Sequence, residues 1–174
     1  ASSPLTLVTA VLVKATARGP VFFLQERVGQ GWTSYRMWKF RTMVEGSEAQ
    51  GPQWAEENDL RATRIGRFLR RRRLDEIPQF LNVLGGSMSI VGPRPERDHF
   101  VRRLAGEIPH YGLRFEAKPG ITGWAQIHFP YTASVEDSRE KLKYDLFYIR
   151  NFTPGLDLRI LLRTVRVMLF GAGR

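Results

Sequence analysis

Leu5, Leu7, Val8, Val11, Leu12 and Val13 crowd one short segment near the start of the chain, and Lys14 closes it. As a helix from Leu5 to Ala17 the segment is roughly 20 Å long at ~1.5 Å per residue, too short for a hydrocarbon core of about 30 Å. Its apolar residues nevertheless occupy nearly every side. A helix apolar all round must be covered, by protein or by lipid. No charged stretch precedes it and no cleavage pattern is evident, so it does not read as a signal peptide. The abrupt opening at Ala1-Ser2-Ser3-Pro4 predicts further membrane-associated sequence upstream. No segment of the chain reaches the ~18 to 20 apolar residues that a transmembrane helix needs.

The 174 residues, 43% hydrophobic and 25% charged, suffice for one domain with a real core and argue against wholesale disorder. Val21–Val28 reads as a strand, Gly29–Gly31 as a turn, and Ser34–Phe40 alternates apolar with polar, so a β-hairpin is expected. Thr42–Asp59 is polar and reads as a loop with some helix. Thr63–Arg73 reads as a helix with Ile65, Phe68 and Leu69 on one face. Asp75 can cap a second helix to about Leu84, with Pro78 at its third position and Gly85-Gly86 ending it. Ser89–Val91 is short and apolar, and Glu96–Leu104 reads as helix. Lys118–Gly123 reads as a glycine-rich loop followed by a strand Trp124–Phe129. Ser134-Val135-Glu136-Asp137 resembles a capping box that opens a helix to about Asn151. Thr153-Pro154 starts the last helix. No repeat, low-complexity segment or linker divides the chain.

The formal charge of +10 favours polyanionic partners: nucleic acid, phosphorylated ligands or an anionic membrane surface. The chain has no cysteine, which excludes disulfides and thiolate metal sites and fits a cytosolic face. The three histidines are scattered and do not suggest a multi-histidine metal site. Seven arginines and no acid lie between Arg61 and Arg73, and Asp75-Glu76 follow directly. The arginines can hold phosphate oxygens; one carboxylate could attack phosphorus and the other hold a divalent metal. The plain alternative is a solvated cationic face with Asp75 as a helix cap, and these residues alone leave both readings standing.

Further motifs carry the same ambiguity. Pro93 and Pro95 hold Arg94 in a stiff backbone, which suits a guanidinium that must meet a phosphate at fixed geometry; an exposed turn is the alternative. Lys39 and Arg41 would share one strand face and could grip a diphosphate, although an ordinary solvated face explains them as well. Lys118–Gly123 is neither a P-loop nor G-x-G-x-x-G. In the last helix Arg159, Arg163 and Arg166 line one face opposite a wide apolar one, as in an interfacial helix or a basic surface helix packed on the core. A nucleic-acid-binding module built on Arg61–Arg73 would leave the membrane-type helix unexplained, and no known reading motif is present.

Taken together, the motifs have a recognisable order. Ser3-Pro4 in the apolar helix, Gly19-Pro20-Val21-Phe22-Phe23, Lys39-Phe40-Arg41-Thr42-Met43, Leu74-Asp75-Glu76-Ile77-Pro78-Gln79, Val91-Gly92-Pro93-Arg94-Pro95, Lys118 to Gln126 and Lys141 to Ile149 cover essentially the whole chain. The set resembles the bacterial sugar transferases, the monotopic polyprenyl-phosphate phosphoglycosyl transferases. The resemblance implies an enzyme that moves a sugar 1-phosphate from a nucleotide diphosphate sugar, usually a UDP-sugar, to undecaprenyl phosphate, with undecaprenyl diphosphate sugar and UMP as products. It implies a ping-pong route through an aspartyl phosphosugar and a requirement for Mg²⁺. Asp75 would then be the nucleophile and Glu76 the Mg²⁺ ligand. Arg94, Lys39, Arg41 and Arg70 would contact phosphate, and Gly120, Thr122, Gln126 and Asp145 join the substrate-binding candidates.

The resemblance also implies an α/β (α+β-like) fold of several helices around a small sheet or hairpin. Residues 1–18 would be the returning half of a re-entrant membrane helix broken at Ser3-Pro4, and residues 19–174 the catalytic domain. The expected place is the cytoplasmic face of the bacterial inner (plasma) membrane, with anionic lipids as partners, no nucleic acid, and room for a homo-oligomer. The pathways implied are exopolysaccharide, capsule or O-antigen assembly, and a catalytically silent scaffold in such assembly is the alternative. Phe129-Pro130-Tyr131 through Asp137 and the Phe170-Gly171 ending resemble the catalytic domain of a larger member with further helices and a domain upstream. Ile77 stands where the family often has Leu, a conservative departure.

Overall fold

The computed structural model describes residues 3–16, 19–47, 51, 59–129 and 134–170. The chain divides into two compact units, Ala1–Gln25 with Trp38–Gln79, and Glu26–Met37 with Phe80–Arg174. Most of the expected Thr42–Asp59 loop, and Pro130–Tyr131 and Gly171 of the family-like segments, lie outside the described residues. The mixture of helices and small sheets agrees with the α/β expectation. The expected hairpin forms from β1 (Phe22–Val28) and β2 (Ser34–Phe40), joined through a short 3-10 turn at Gln30–Trp32.

In the first unit, α1 (Ser3–Thr16) packs against α2 (Arg64–Arg71) and against a 3-10 segment at Leu74–Gln79. Val13, Phe40 and Leu69 form the core, ringed by Ala10, Val21, Leu74 and Ile77. Phe22 stacks on Phe40 and meets Trp38 edge-on. α1 therefore buries one side, carrying Thr9 and Val13, and leaves Leu7, Val8, Val11 and Leu12 exposed. Among the described residues none covers that exposed side. Among the described residues no helix is long and apolar enough to cross a membrane.

α2 begins where expected, because the Thr63 hydroxyl accepts the Gly66 N–H at 2.9 Å. Gly66 also lets the helix lie on the chain after β2: a Cβ there would run into the Thr42 carbonyl oxygen. Thr42 cannot retreat, since its carbonyl accepts the Thr63 N–H at 3.0 Å. Gly66→Ala is therefore expected to destabilise the protein by about 3 kcal/mol despite alanine's better helix propensity. Denaturant unfolding measures this, and a neutral or stabilising change would contradict the close approach.

The segment after α2 departs from expectation. Asp75 does not cap a helix. Arg73 takes a left-handed conformation, φ 53°, and its carbonyl accepts the Glu76 N–H at 3.3 Å. A 3-10 stretch, Leu74–Gln79, then carries both acids before α3 (Phe80–Leu84). Pro78 would press its ring on the Leu74 carbonyl in a continuous α-helix, and the 3-10 segment holds Pro78 without that α-helical turn. Gly86, at φ 78°, follows α3 as expected.

The second unit is built on a parallel pair, β3 (Ser89–Val91) and β4 (Gly120–Thr122), in register Ser89↔Gly120 and Val91↔Thr122. α4 (Asp98–Glu107) lies between them in sequence, and α5 (Trp124–His128), α6 (Val135–Asn151) and α7 (Pro154–Phe170) follow. The expected glycine loop is thus partly strand, and the expected strand Trp124–Phe129 is a helix. Packing explains both differences. A Cβ on Gly120 or Gly123 would strike the backbone of Gly92, so these glycines serve strand-to-strand approach. Trp124 and Ile127, three apart, both pack on the core of Val91, Tyr148 and Ile160. A helix puts such a pair on one face, whereas a strand would send them to opposite faces.

The capping box forms as read: Ser134 Oγ accepts the Asp137 N–H at 3.0 Å and the Asp137 carboxylate accepts the Ser134 N–H at 3.1 Å. Pro154 opens α7, and Thr153 Oγ1 accepts the Leu156 N–H. α7 packs on the core through one side and exposes both apolar and basic residues on the rest. Ile160 is buried in the core, while Leu158, Leu162 and Val165 stay exposed alongside Arg159, Arg163 and Arg166.

Candidate active site

Asp75 and Glu76 are 8% and 7% exposed, an unusual degree of burial for adjacent acids. The tight 3-10 turn, entered through the left-handed Arg73, holds them in place. A non-glycine residue in that conformation is a local strain of the kind that gathers at functional sites. The Arg73 guanidinium stands 3.8 Å from the Glu76 carboxylate. Cation and acid therefore face each other where the sequence had only listed them in order.

The arginine run separates by position. Arg71 and Arg72 are exposed, and Arg70 and Arg73 are half-buried. Arg70 and Arg71, consecutive on α2, diverge by about 100°, and the left-handed turn at Arg73 brings that residue back toward the interior. Asp59 supplies a further acid that the sequence did not single out. Arg61 grips it with Nε at 2.8 Å and Nη2 at 2.6 Å. These hydrogen bonds hold the Asp59 carboxyl below the usual range against the opposing effect of burial, and Arg70 adds to the pull.

Lys39 lies on β2 and is half-buried. Arg41 stands one residue past the end of β2, with its N–H still donated to the Val21 carbonyl at 2.9 Å. Arg41 is buried, with its guanidinium against Gly19, where any Cβ would collide with it. Gly19 has φ 103°, a backbone conformation that favours glycine there.

The remaining candidates belong to the second unit. Thr122 Oγ1 bonds Thr164 Oγ1 at 2.7 Å, and Gln126 Nε2 donates to the Ile121 carbonyl at 3.1 Å. Gly120 is occupied by the approach to Gly92. Asp145 is 2% exposed, and its carboxylate accepts from Arg114 Nη2 at 2.8 Å. Burial raises the Asp145 pKa, opposed by Arg114 and Lys141. Arg94 is half-buried between Pro93 and Pro95.

Around Asp145 lies a buried ionic network that sequence reading missed. Glu96 accepts Lys141 Nζ at 2.8 Å and faces Arg27 at 3.7 Å. Burial would raise the Glu96 pKa, but Lys141, Arg114 and Arg27 outweigh it and hold the carboxyl at about 2. Burial lowers Arg27 to about 10, with Glu96 opposing and Arg94 and Arg97 adding to the fall. Arg114 donates to the Tyr111 hydroxyl at 2.6 Å. Burial works against the Arg114 charge, yet Tyr111, Asp145 and Glu96 together raise its pKa. The signal in the sequence was Lys141 and Asp145, four apart on one helix face; their partners lie 31 to 45 residues away.

The sequence matches the bacterial sugar transferase family over residues 1–171. The chain belongs to the bacterial sugar transferase family. Among its relatives, the UDP-N-acetylgalactosamine-undecaprenyl-phosphate N-acetylgalactosaminephosphotransferase of Aeromonas hydrophila is 49% identical over 171 residues, 98% of this chain and 40% of that protein. The UDP-glucose:undecaprenyl-phosphate glucose-1-phosphate transferase of Xanthomonas campestris pv. campestris is 48% identical over 169 residues, 95% of this chain and 35% of that protein. The protein of the same description from Klebsiella pneumoniae is 44% identical over 165 residues, 94% of this chain and 36% of that protein. This sugar transferase chain thus spans roughly a third to two fifths of the length of these relatives. Its Asp75–Glu76 turn and its Pro93–Pro95 turn both lie within the matched region.

Proposed function

We propose that this sugar transferase carries a sugar 1-phosphate from a UDP-sugar to undecaprenyl phosphate through a covalent intermediate on Asp75. The observation that carries the reading is the burial of Asp75 and Glu76 side by side in a strained turn with Arg73 at the second acid. The ionised Asp75 carboxylate attacks the sugar-bearing phosphorus of the donor. The anhydride oxygen leaves with its electron pair as UMP, and an aspartyl phosphosugar remains. A phosphate oxygen of undecaprenyl phosphate then attacks the same phosphorus, and the Asp75 carboxylate leaves unchanged. Arg94, Lys39, Arg41 and Arg70 are proposed to neutralise and orient the donor's phosphates.

Among the described residues no group of three or more His, Cys, Asp or Glu side chains could by itself hold a metal. The adjacent carboxylates of Asp75 and Glu76 fit Mg²⁺, which is held by one or two carboxylates together with substrate phosphates and water rather than by an all-protein cage. Glu76 is the proposed ligand. Mg²⁺ bound there would supply charge neutralisation on the transferring phosphoryl group.

The exposed Leu7, Val8 and Val11 of α1, and the exposed leucines and arginines of α7, support contact with an anionic membrane surface on the cytoplasmic face. Exopolysaccharide, capsule or O-antigen assembly is the proposed setting. Two related proteins with different donors, UDP-N-acetylgalactosamine and UDP-glucose, define the test. The protein is incubated with each donor and Mg²⁺ without acceptor, and its intact mass is measured. The expected result is a gain of one sugar phosphate with one donor, removed by hydroxylamine as an acyl phosphate should be. Turnover with acceptor but no adduct under any of these conditions would point to direct displacement instead.

A further inference from the structure

The stretch Pro93-Arg94-Pro95-Glu96 gives each of its four backbone carbonyls to a donor within the second unit. Gly120 N–H donates to Pro93 O at 2.9 Å and Val28 N–H to Glu96 O at 3.0 Å. Arg27 Nη1 donates to Pro95 O at 3.0 Å, and Arg114 Nη2 to Arg94 O at 2.9 Å. Two of the four donors are thus guanidinium groups. Surface turns ordinarily leave such carbonyls to water or to local bonds. Burying an arginine to reach one is costly unless its other N–H groups are satisfied as well.

Arg114 meets that condition at both terminal nitrogens, while its buried Nε has no hydrogen-bond partner among the described residues. Its side chain is 3% exposed. Nη1 donates to the Tyr111 hydroxyl, and the two hydrogens of Nη2 serve Asp145 and the Arg94 carbonyl. The guanidinium carbon lies 5.1 Å from the centre of the Tyr111 ring and 5.9 Å from that of Phe115. The rings of Pro93 and Pro95 fix φ on either side of Arg94, and the tied carbonyls hold the peptide planes between them. Little soft motion is left in the Arg94 backbone.

We infer that Arg114, oriented by Tyr111 and Asp145, is a positioning residue that aims Arg94 through the Arg94 main-chain carbonyl. This rests on the reading of Arg94 as a phosphate contact. It gives the enclosed Asp145 a role behind the substrate-contacting side chain. Lysine at 114 would keep the charge but could not hold three acceptors in one fixed plane.

The test is a double-mutant cycle, read as kcat/KM for the UDP-sugar that supports turnover, with thermal unfolding measured in parallel. Arg114→Lys is expected to lower kcat/KM by about 10- to 100-fold in the wild-type background. In the Arg94→Ala background the same change should cost less than about 3-fold, while its effect on the unfolding midpoint stays the same. Equal losses of kcat/KM in both backgrounds, or no loss in either, would overturn the inference and leave Arg114 a structural residue. Wild-type kcat/KM in Arg94→Ala would remove Arg94 from phosphate binding and the inference with it, while leaving the Asp75 chemistry intact. Should Arg114→Lys fail to fold, Tyr111→Phe removes one of its acceptors and follows the same logic. A several-fold loss confined to the background containing Arg94 supports the inference, and any other pattern overturns it.

Discussion

Asp75→Asn is expected to abolish UMP release, with a fall in turnover on the order of 10⁴-fold or more, because removing a covalent nucleophile removes the step that all others serve. The amide is nearly isosteric with the carboxylate, so the 3-10 turn should be kept and the protein should unfold as wild type does. The same variant should show no mass gain with donor alone. Glu76→Gln should behave differently. It leaves the nucleophile in place and should raise the Mg²⁺ concentration needed for half-maximal turnover. Near wild-type turnover in Asp75→Asn would remove the nucleophile assignment, and an unchanged Mg²⁺ dependence in Glu76→Gln would remove the ligand assignment. The pair of variants therefore separates two roles that adjacent residues could otherwise share.

Glu96→Gln is expected to cost about 3–5 kcal/mol of stability at neutral pH, since it removes the carboxylate that pairs with the largely enclosed Lys141 and Arg27. For a protein of this size that corresponds to a lower midpoint by about 10 °C. The deficit should also depend on pH. The Glu96 carboxyl lies at about 2 when folded against an ordinary value of 4.5, so the unfolded chain takes up the proton first. Its stabilisation is complete above about 4.5 and is lost as pH falls toward 2. The gap between wild type and Glu96→Gln should narrow over that interval. Asp145 acts with the opposite sign, because burial raises its pKa and protonation then favours the folded state. Comparing the two proteins, rather than following wild type alone, removes the part of this contribution that burial causes; the part that the Glu96 charge adds at Asp145 is lost in the variant. A gap that stays constant from pH 7 to pH 2 would show that the carboxylate charge of Glu96 does not carry the effect.

Local signals were legible where a single short stretch contained both partners. The capping box at Ser134 and Asp137, the start of α7 at Pro154 and the β1–β2 hairpin all belong to this class. So does the Asp75–Glu76 pair, whose adjacency to an arginine run is a property of sequence order. The expectations that failed depended on distant neighbours. Trp124–His128 is helical because Trp124 and Ile127 must reach one core. β4 forms because Gly92, Gly120 and Gly123 let two backbones meet. The place of the Arg41 guanidinium against Gly19, more than twenty residues earlier in the chain, was likewise not legible in the sequence.

The order of motifs in the chain was enough to identify the family and to single out Asp75, Glu76 and Arg94, because chemistry-bearing residue types at set spacings can be read along a line. The sorting of Arg70 to Arg73 between solvent and interior, the left-handed entry at Arg73, and the network that joins Arg27, Glu96, Lys141, Arg114 and Asp145 could not be read that way. Burial and charge pairing depend on which segments meet in three dimensions. A buried arginine and an exposed one look alike in sequence until the carbonyls and carboxylates that receive them have been brought together by folding.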